Sequence, residues 1–404
     1  MSTSLLYHGF GIVGYRYVRQ QFHGGRIRFR IEQPRERLKC SGCGSDQLWA
    51  QGGVDRTFRT IPIGRKPVEI ELTVPRVLCF ACGRARQVKV GFADPNRRYT
   101  RAFERYALDL SRRMTIQDVA EHLQVSWDTI KEIQRRHLER RFGTPKLRGL
   151  RQIAIDEVAI GKGHRYLTIV LDLVSGAIVF VGDGKGVQAL APFWKRLRRA
   201  RAKVQAVATD MGKAYIRAVR ENLPRAVHVF DHFHVIKLFN EKLSALRREL
   251  YHRATTDTER TILKGTRWLL LKNPENLNPQ RSERQRLEDA LRLNAPLATA
   301  YYLKEDLRQI WMQPTKRVAR RVLRDWLQRA RATGEPLLIQ FADTLAEHQK
   351  GVLAYYDYPI STGPLEGTNN KIQTMKRQAY GFRDLEFYKL KILSLHETKH
   401  ALVG

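Results

Sequence analysis

Apolar and polar residues alternate strictly from Val68 to Val74: Val68, Ile70, Leu72 and Val74 against Glu69, Glu71 and Thr73. A period of two puts the apolar set on one face of a strand. The turn signal Gly64-Arg65-Lys66-Pro67 precedes it, and Arg26 to Glu32 repeats the alternation. Further on the period lengthens. Arg97 to Arg113 predicts a basic amphipathic helix with Phe103, Tyr106, Ala107 and Leu110 on one face. Ile116, Val119, Ala120 and Leu123 form a second short apolar face, and Ser126 is a natural N-cap for a third helix with Ile130 and Ile133 inward. Small Ala120 suits a helix crossing, and Val125 plugs the turn.

From residue 151 strands return. Segments 152–160, 164–173 and 177–181 are expected as strands, 187–200 as a helix, 204–208 as a strand, 213–222 as a helix and 226–230 as a strand. The order βββαβαβ is that of an RNase H-like domain, in which the first and fourth strands are neighbours. From Val235 to Leu353 every apolar stripe has helical spacing, so an all-α insertion is expected there. The fold class is therefore multidomain α+β. It comprises a β-rich zinc-ribbon domain (1–95), a helix-turn-helix domain (96–148), the first part of an RNase H-like core (149–234), the insertion (235–355) and the C-terminal helices of the core (356–404). No apolar run reaches the ~18 residues of a membrane span, since Asp172 breaks Tyr166 to Val181. No secretory leader is recognisable, so a cytoplasmic protein is expected, with no membrane partner.

Charge narrows the partner. The 404 residues carry 73 Lys and Arg against 40 Asp and Glu, a formal net charge of +33. Hydrophobic residues make up 43 %, which excludes a disordered basic tail. A folded chain this basic calls for a polyanion, and nucleic acid is the commonest one.

Cys40-Ser-Gly-Cys43 and Cys79-Phe-Ala-Cys82 contain all four cysteines. Two residues between thiolates turn both sulfurs toward one point, so the two knuckles supply a tetrahedral site for structural zinc. Four thiolates leave no open position for catalysis. The short helical pair after Thr115 has the spacing of a helix-turn-helix, although Gln124 stands where the turn often has glycine. Trp127, Lys131 and Arg135 would face a DNA groove, with Arg136 near phosphates. The alternative is an ordinary helical hairpin.

The acids carry the chemistry. Asp156 ends the apolar part of the first core strand and Asp210 follows the fourth. Phosphodiester cleavage suits two magnesium (or manganese) ions roughly 3.5–4 Å apart, held by carboxylate oxygens. Glu366 supplies a third acid in the first turn of a helix opened by Pro364, with Asn369, Asn370 and Gln373 on its face. Glu157 adjoins Asp156, but strand neighbours point to opposite faces, so one joins the cluster and Asp156 is favoured. Asp172 and Asp183 are expected at solvated strand ends.

These residues resemble the ISL-three group of bacterial insertion-sequence transposases, of the DDE class. The marks are the knuckles, the helix-turn-helix, Ile155-Asp156-Glu157, Thr209-Asp210-Met211, Asp231-His232-Phe233-His234-Val235-Ile236-Lys237, and Glu366-Gly-Thr-Asn-Asn-Lys371 through Gly381-Phe382. The resemblance implies that Asp156, Asp210 and Glu366 are the catalytic triad. It further implies binding of terminal inverted repeats in double-stranded DNA, cleavage and strand transfer, and action as a homodimer or higher assembly. Related enzymes often carry a base seven residues beyond the glutamate; this chain has Gln373, leaving Lys371, Lys376 or Arg377 to contact DNA. Asp231 and His234 are expected near the active site, or else as a pair anchoring the following helix. Alternatives to transposition are a structure-specific nuclease with the same acids and a DNA-binding regulator.

Overall fold

Val68, Ile70, Leu72 and Val74 are buried, each at 1 % exposure or less, on one face of a long strand. The computed structural model describes residues 4–161 and 163–396, so the last eight positions expected in the C-terminal segment lie outside the described residues. The chain divides into two compact units, 1–141 and 142–404.

The first unit begins with α1 (Leu5–Phe10) and the strands β1 (Arg16–His23), β2 (Arg26–Glu32), β3 (Leu48–Ile63), β4 (Lys66–Cys79) and β5 (Ala85–Gln87). The sheet order is β1-β2-β4-β3, with β5 against β4. The apolar alternation buries Phe29, Phe58 and Ile70 together with Phe92. On the polar positions Glu69 accepts from Arg26 at 2.5 Å and Arg28 at 2.9 Å, so the alternation sorts charge as well as hydrophobicity.

Helices α2 (Arg101–Leu110), α3 (Ile116–Leu123) and α4 (Trp127–Phe142) follow. Phe103, Ala107, Val119, Ala120, Leu123, Ile130 and Ile133 make their shared core, with Val125 packed beside it. The first of these helices starts at 101 rather than 97, because the Thr100 side chain accepts from the Phe103 N–H and caps it there. Ser126 caps α4 by accepting from the Thr129 N–H at 3.2 Å. Gln124 takes the left-handed conformation, φ 51°, at the turn where glycine is frequent.

The second unit is built on β6 (Gln152–Gly161), β7 (Arg165–Asp172), β8 (Ile178–Asp183), β9 (Ala206–Thr209) and β10 (Val227–Phe230), with α5 (Val187–Ala200) and α6 (Lys213–Asn222) between the last three strands. Each limit falls within two residues of the sequence expectation. The order is β10-β9-β6-β7-β8: β6, β7 and β8 form an antiparallel meander, and β9 and β10 run parallel to β6. Phe193, Trp194 and Leu197 of α5 share a core with Ile153, Ile155 and Val207.

Beyond β10 come α7 (His232–Arg253), α8 (Asp257–Gly265), α9 (Glu283–Leu293), α10 (Ala295–Arg308), α11 (Lys316–Ala332), α12 (Pro336–Glu347) and α13 (Gln349–Leu353). Their core centres on Phe239, Trp326 and Phe341, whose rings meet edge to face at 4.9–5.7 Å. Helices α14 (Gly363–Gln378) and α15 (Leu385–Leu393) return to the sheet, against β6 and β8. Among the described residues no helix is long and apolar enough to cross a membrane.

Candidate active site

Ala154 of β6 pairs in parallel with Ala208 of β9, which pairs with Val229 of β10. Two residues further along each line stands an acid: Asp156, Asp210 and Asp231. The three residues are therefore level in the backbone register, Asp156 within β6 and Asp210 and Asp231 just past the ends of β9 and β10. Alternation sends Glu157 to the other side, where its Oε1 accepts from the Tyr215 hydroxyl at 2.6 Å and the Gly186 N–H at 3.2 Å. Burial, joined by the Asp210 and Glu157 carboxylates, holds the Asp156 carboxyl above its usual range, against an opposing pull from His234. The Gly212 N–H donates to Asp210 Oδ1 at 2.9 Å and fixes that carboxylate at the start of α6.

Helix α14 brings its polar face to this row. Asn369 Nδ2 donates to Asp156 Oδ2 at 2.9 Å, and Gln373 Nε2 donates to the Ala159 carbonyl at 2.5 Å. Gln373 thus ties helix to strand where related enzymes often carry a base. Glu366 lies one turn before Asn369 and is exposed, as is Asn370. The Asn369 Oδ1 is buried without a hydrogen-bond partner, a polar atom left beside Asp156. Asp156, Asp210 and Glu366 are not drawn into a tight cluster: among the described residues only the four cysteines bring three or more ligand atoms within 4.8 Å of one another.

Asp231 is 1 % exposed and caps α7 by accepting from the Phe233 N–H at 3.3 Å. Its other oxygen accepts from the Thr362 hydroxyl, and His234 Nε2 stands 3.9 Å away. Thr362 is the N-cap residue of α14, so one buried carboxylate joins the starts of two helices. Thr362 was not among the residues singled out from sequence; its only signal is its place just before the Gly-Pro helix start. A second support lies under Asp210. Thr209 donates to the Asp210 carbonyl at 2.6 Å, and His228 Nε2 lies 2.7 Å from the same hydroxyl. With the hydroxyl hydrogen engaged on the carbonyl, the imidazole donates from Nε2. Burial, followed by the His348 charge, lowers its pKa to about 4.

In the first unit the four thiols converge. Sγ atoms of Cys40 and Cys82 are 3.8 Å apart, and those of Cys43 and Cys79 3.5 Å. Four thiolates bound ~2.3 Å from one tetrahedral ion would be spaced at about 3.8 Å. Gly44 and Gly83 close the two knuckles with positive φ, 77° and 64°, which glycine adopts without strain. On α4, Lys131 Nζ lies 5.0 Å over the half-exposed Trp127 ring, and Arg135 is half-buried. Arg136 is turned inward instead: its guanidinium bonds Asp94 at 2.9 Å and the Tyr99 hydroxyl at 3.2 Å, so internal pairing occupies the side chain expected near phosphates. Lys371 and Arg377 are exposed on α14, and Lys376 is half-buried.

Comparison with known proteins gives these features a setting. Residues 153–392 match a family described as transposase, of the ISL3 type, and residues 88–138 match the helix-turn-helix domain of transposase family ISL3. The chain is 31 % identical over 358 residues to the transposase for insertion sequence element IS1001 of Bordetella parapertussis, covering 88 % of each. It is 30 % identical over 411 residues to the transposase for insertion sequence element IS1557 of Mycobacterium tuberculosis, covering 94 % of this chain and 91 % of the relative. A weaker structural likeness, TM-score 0.40 at 12 % identity, covers 74 % of this chain and 92 % of a chain in the Drosophila P element transposase strand transfer complex. The two family matches and the two insertion-sequence relatives define a transposase of an insertion sequence, an enzyme that binds, cuts and joins DNA. Within that class the chain belongs to the ISL3 family. The nuclease and regulator alternatives give way to it.

Proposed function

We propose that this transposase cuts and joins DNA with Asp156, Asp210 and Glu366 as a DDE triad. Its core (149–234 and 356–404) is RNase H-like and is interrupted by an all-α insertion (235–355). The carrying observation is the level register of Asp156 within β6 and Asp210 just past its parallel neighbour β9, with Asn369, one turn from Glu366, donating to Asp156. The meander followed by two parallel strands supports the RNase H-like assignment. The zinc-ribbon (1–95) and helix-turn-helix (96–148) domains bind the terminal inverted repeats.

The residues fit a pair of magnesium or manganese ions. The donors are oxygens, Asp156 is desolvated beside Asp210, and Asn369, whose Nδ2 holds Asp156, keeps a buried Oδ1 without a hydrogen-bond partner. Asp156, Asp210 and Glu366 would hold such ions, which activate an attacking oxygen and stabilise a leaving one. The chain's own groups do the positioning. Asn369 holds the Asp156 carboxylate, Gly212 holds that of Asp210, and Lys371, Lys376 and Arg377 neutralise phosphates along α14. Water is the nucleophile for cleavage and a 3′-hydroxyl for strand transfer; in each case one phosphorus–oxygen bond forms as another breaks. The four cysteines, at tetrahedral spacing, fit one structural zinc ion. Two ends must be joined, so the working form is a homodimer or larger assembly on DNA.

The test uses a duplex containing the DNA that flanks the coding region, with and without magnesium. Asp210→Asn is expected to retain end binding and lose both cleavage and joining. Joining by that variant would sink the assignment of Asp210.

A further inference from the structure

Tyr380 is 99 % exposed, far beyond any other large hydrophobic side chain of the described residues. It stands directly after α14, at φ 51°, followed by Gly381 at φ 97°. A left-handed backbone costs an aromatic residue roughly 1–2 kcal/mol, and glycine is the usual choice where a helix ends this way. Here the ring gains no packing in return, so nothing inside the fold accounts for it. An observed outlier of this kind points outward, to something the side chain meets in function.

The loop is held firmly although the ring is not. The Tyr380 N–H donates to the Arg377 carbonyl at 3.0 Å and the Gly381 N–H to the Lys376 carbonyl at 2.9 Å. Two residues on, Phe382 stacks on Tyr388 at 4.4 Å with 16° between the planes. A fixed prong results, flanked by Lys376, Arg377 and exposed Arg383. It projects from the helix that carries Glu366, about 20 Å further along at 1.5 Å per residue. Asp384, the one acid equally near in sequence, is turned to capping α15, where it accepts from the Phe387 N–H at 3.0 Å. The basic side chains therefore face outward, which suits a phosphate backbone and leaves the ring for a base.

We infer that Tyr380 is a stacking platform for one unstacked nucleobase of the bound DNA, about six base steps from the triad. Distance along duplex DNA sets that figure, at ~3.4 Å per step. The inference rests on the proposal that DNA runs along α14 to Asp156, Asp210 and Glu366.

Permanganate reactivity of thymines placed in turn at each position of the end duplex tests it. The Asp210→Asn background is used, so unstacking is read without any cleavage. One thymine is expected to react with the Asp210→Asn chain and with its Tyr380→Phe derivative, and to lose reactivity with Tyr380→Gly. Glycine suits the positive φ, so that variant keeps its fold. With Asp210 intact, Tyr380→Gly should lower strand joining about 5- to 150-fold while Tyr380→Phe keeps it. Unchanged reactivity and joining in Tyr380→Gly overturn the inference. So does a change in the mass of the DNA-free protein by light scattering with reactivity unchanged, which would assign the ring to a second copy. If the intact chain fails to cleave, the triad is at fault, and the permanganate result still decides Tyr380.

Discussion

Thr362 donates its hydroxyl to the Asp231 carboxylate across 131 residues of chain, and each of the two begins a helix. Helix α7 leads into the helical segment and α14 carries Glu366, so the orientation of both is set at one buried bond. Thr362→Val removes the donor and keeps the shape, leaving a buried carboxylate oxygen short of a partner. Stability should fall by ~1–3 kcal/mol and cleavage should fall with it, while binding of end DNA persists. Thr362→Ser should restore both. Urea unfolding alongside a cleavage assay checks this; a valine variant that cleaves at full rate argues against the bond's role.

Gly212 stands where a Cβ would come within 2.9 Å of Asp210 Oδ1. Its φ of −65° suits alanine, so Gly212→Ala strains the carboxylate and not the backbone. Cleavage is expected to drop by roughly 10²-fold, the scale of a 1 Å misplacement, with melting almost unchanged. Equal activity in the two proteins would mean that Asp210 has room to spare.

His228 makes stability depend on pH. Its folded pKa, lowered to about 4, lies below the 6.5 of a free imidazole, so the native state keeps the ring neutral. Its contribution is complete above pH 6.5. It declines as pH falls, because the unfolded chain takes up a proton that the folded one refuses, and the loss levels off once the folded ring is protonated below about 4. The full span is roughly 3 kcal/mol at most. His228→Gln should flatten unfolding free energy between pH 6.5 and 4; an unchanged slope places the proton elsewhere.

Gln124 holds a left-handed backbone at the turn before α4. Gln124→Gly should stabilise the first unit by about 1 kcal/mol, measurable by urea unfolding, without altering affinity for end DNA. A destabilised variant would show that the Gln124 side chain contributes more than its backbone costs.

The purified chain should carry one zinc ion, and Cys79→Ser should release it. Because Cys79 ends β4, loosening is expected first where β4 meets β3 and β5, which hydrogen exchange can follow. Metal analysis finding no zinc in the intact protein rejects the site.

The sequence made the strands of the second unit legible because buried runs mark them, with Asp210 just past the end of β9; Asp156 lies mid-strand, because β6 runs on to Gly161. The face of α14 was legible for the same reason, since Glu366, Asn369 and Gln373 follow helical spacing. Strand β1 was not foreseen: all eight of its residues are exposed, so no alternation betrays it, and it is held by backbone pairing to β2. Nor could local pattern reveal that Arg136 pairs with Asp94, or Thr362 with Asp231. Those contacts depend on how distant segments return, and neither residue carries that information in its neighbours.

The Asn369–Asp156 bond spans 213 residues, and this has a consequence for timing. A growing chain completes its strands, and both their acids, long before it makes the helix that faces them. Any product that stops short of Gly363 lacks Asn369, which holds Asp156, and lacks Glu366 of the proposed triad. On the proposed triad, competence to cut DNA arrives only once α14 has been made.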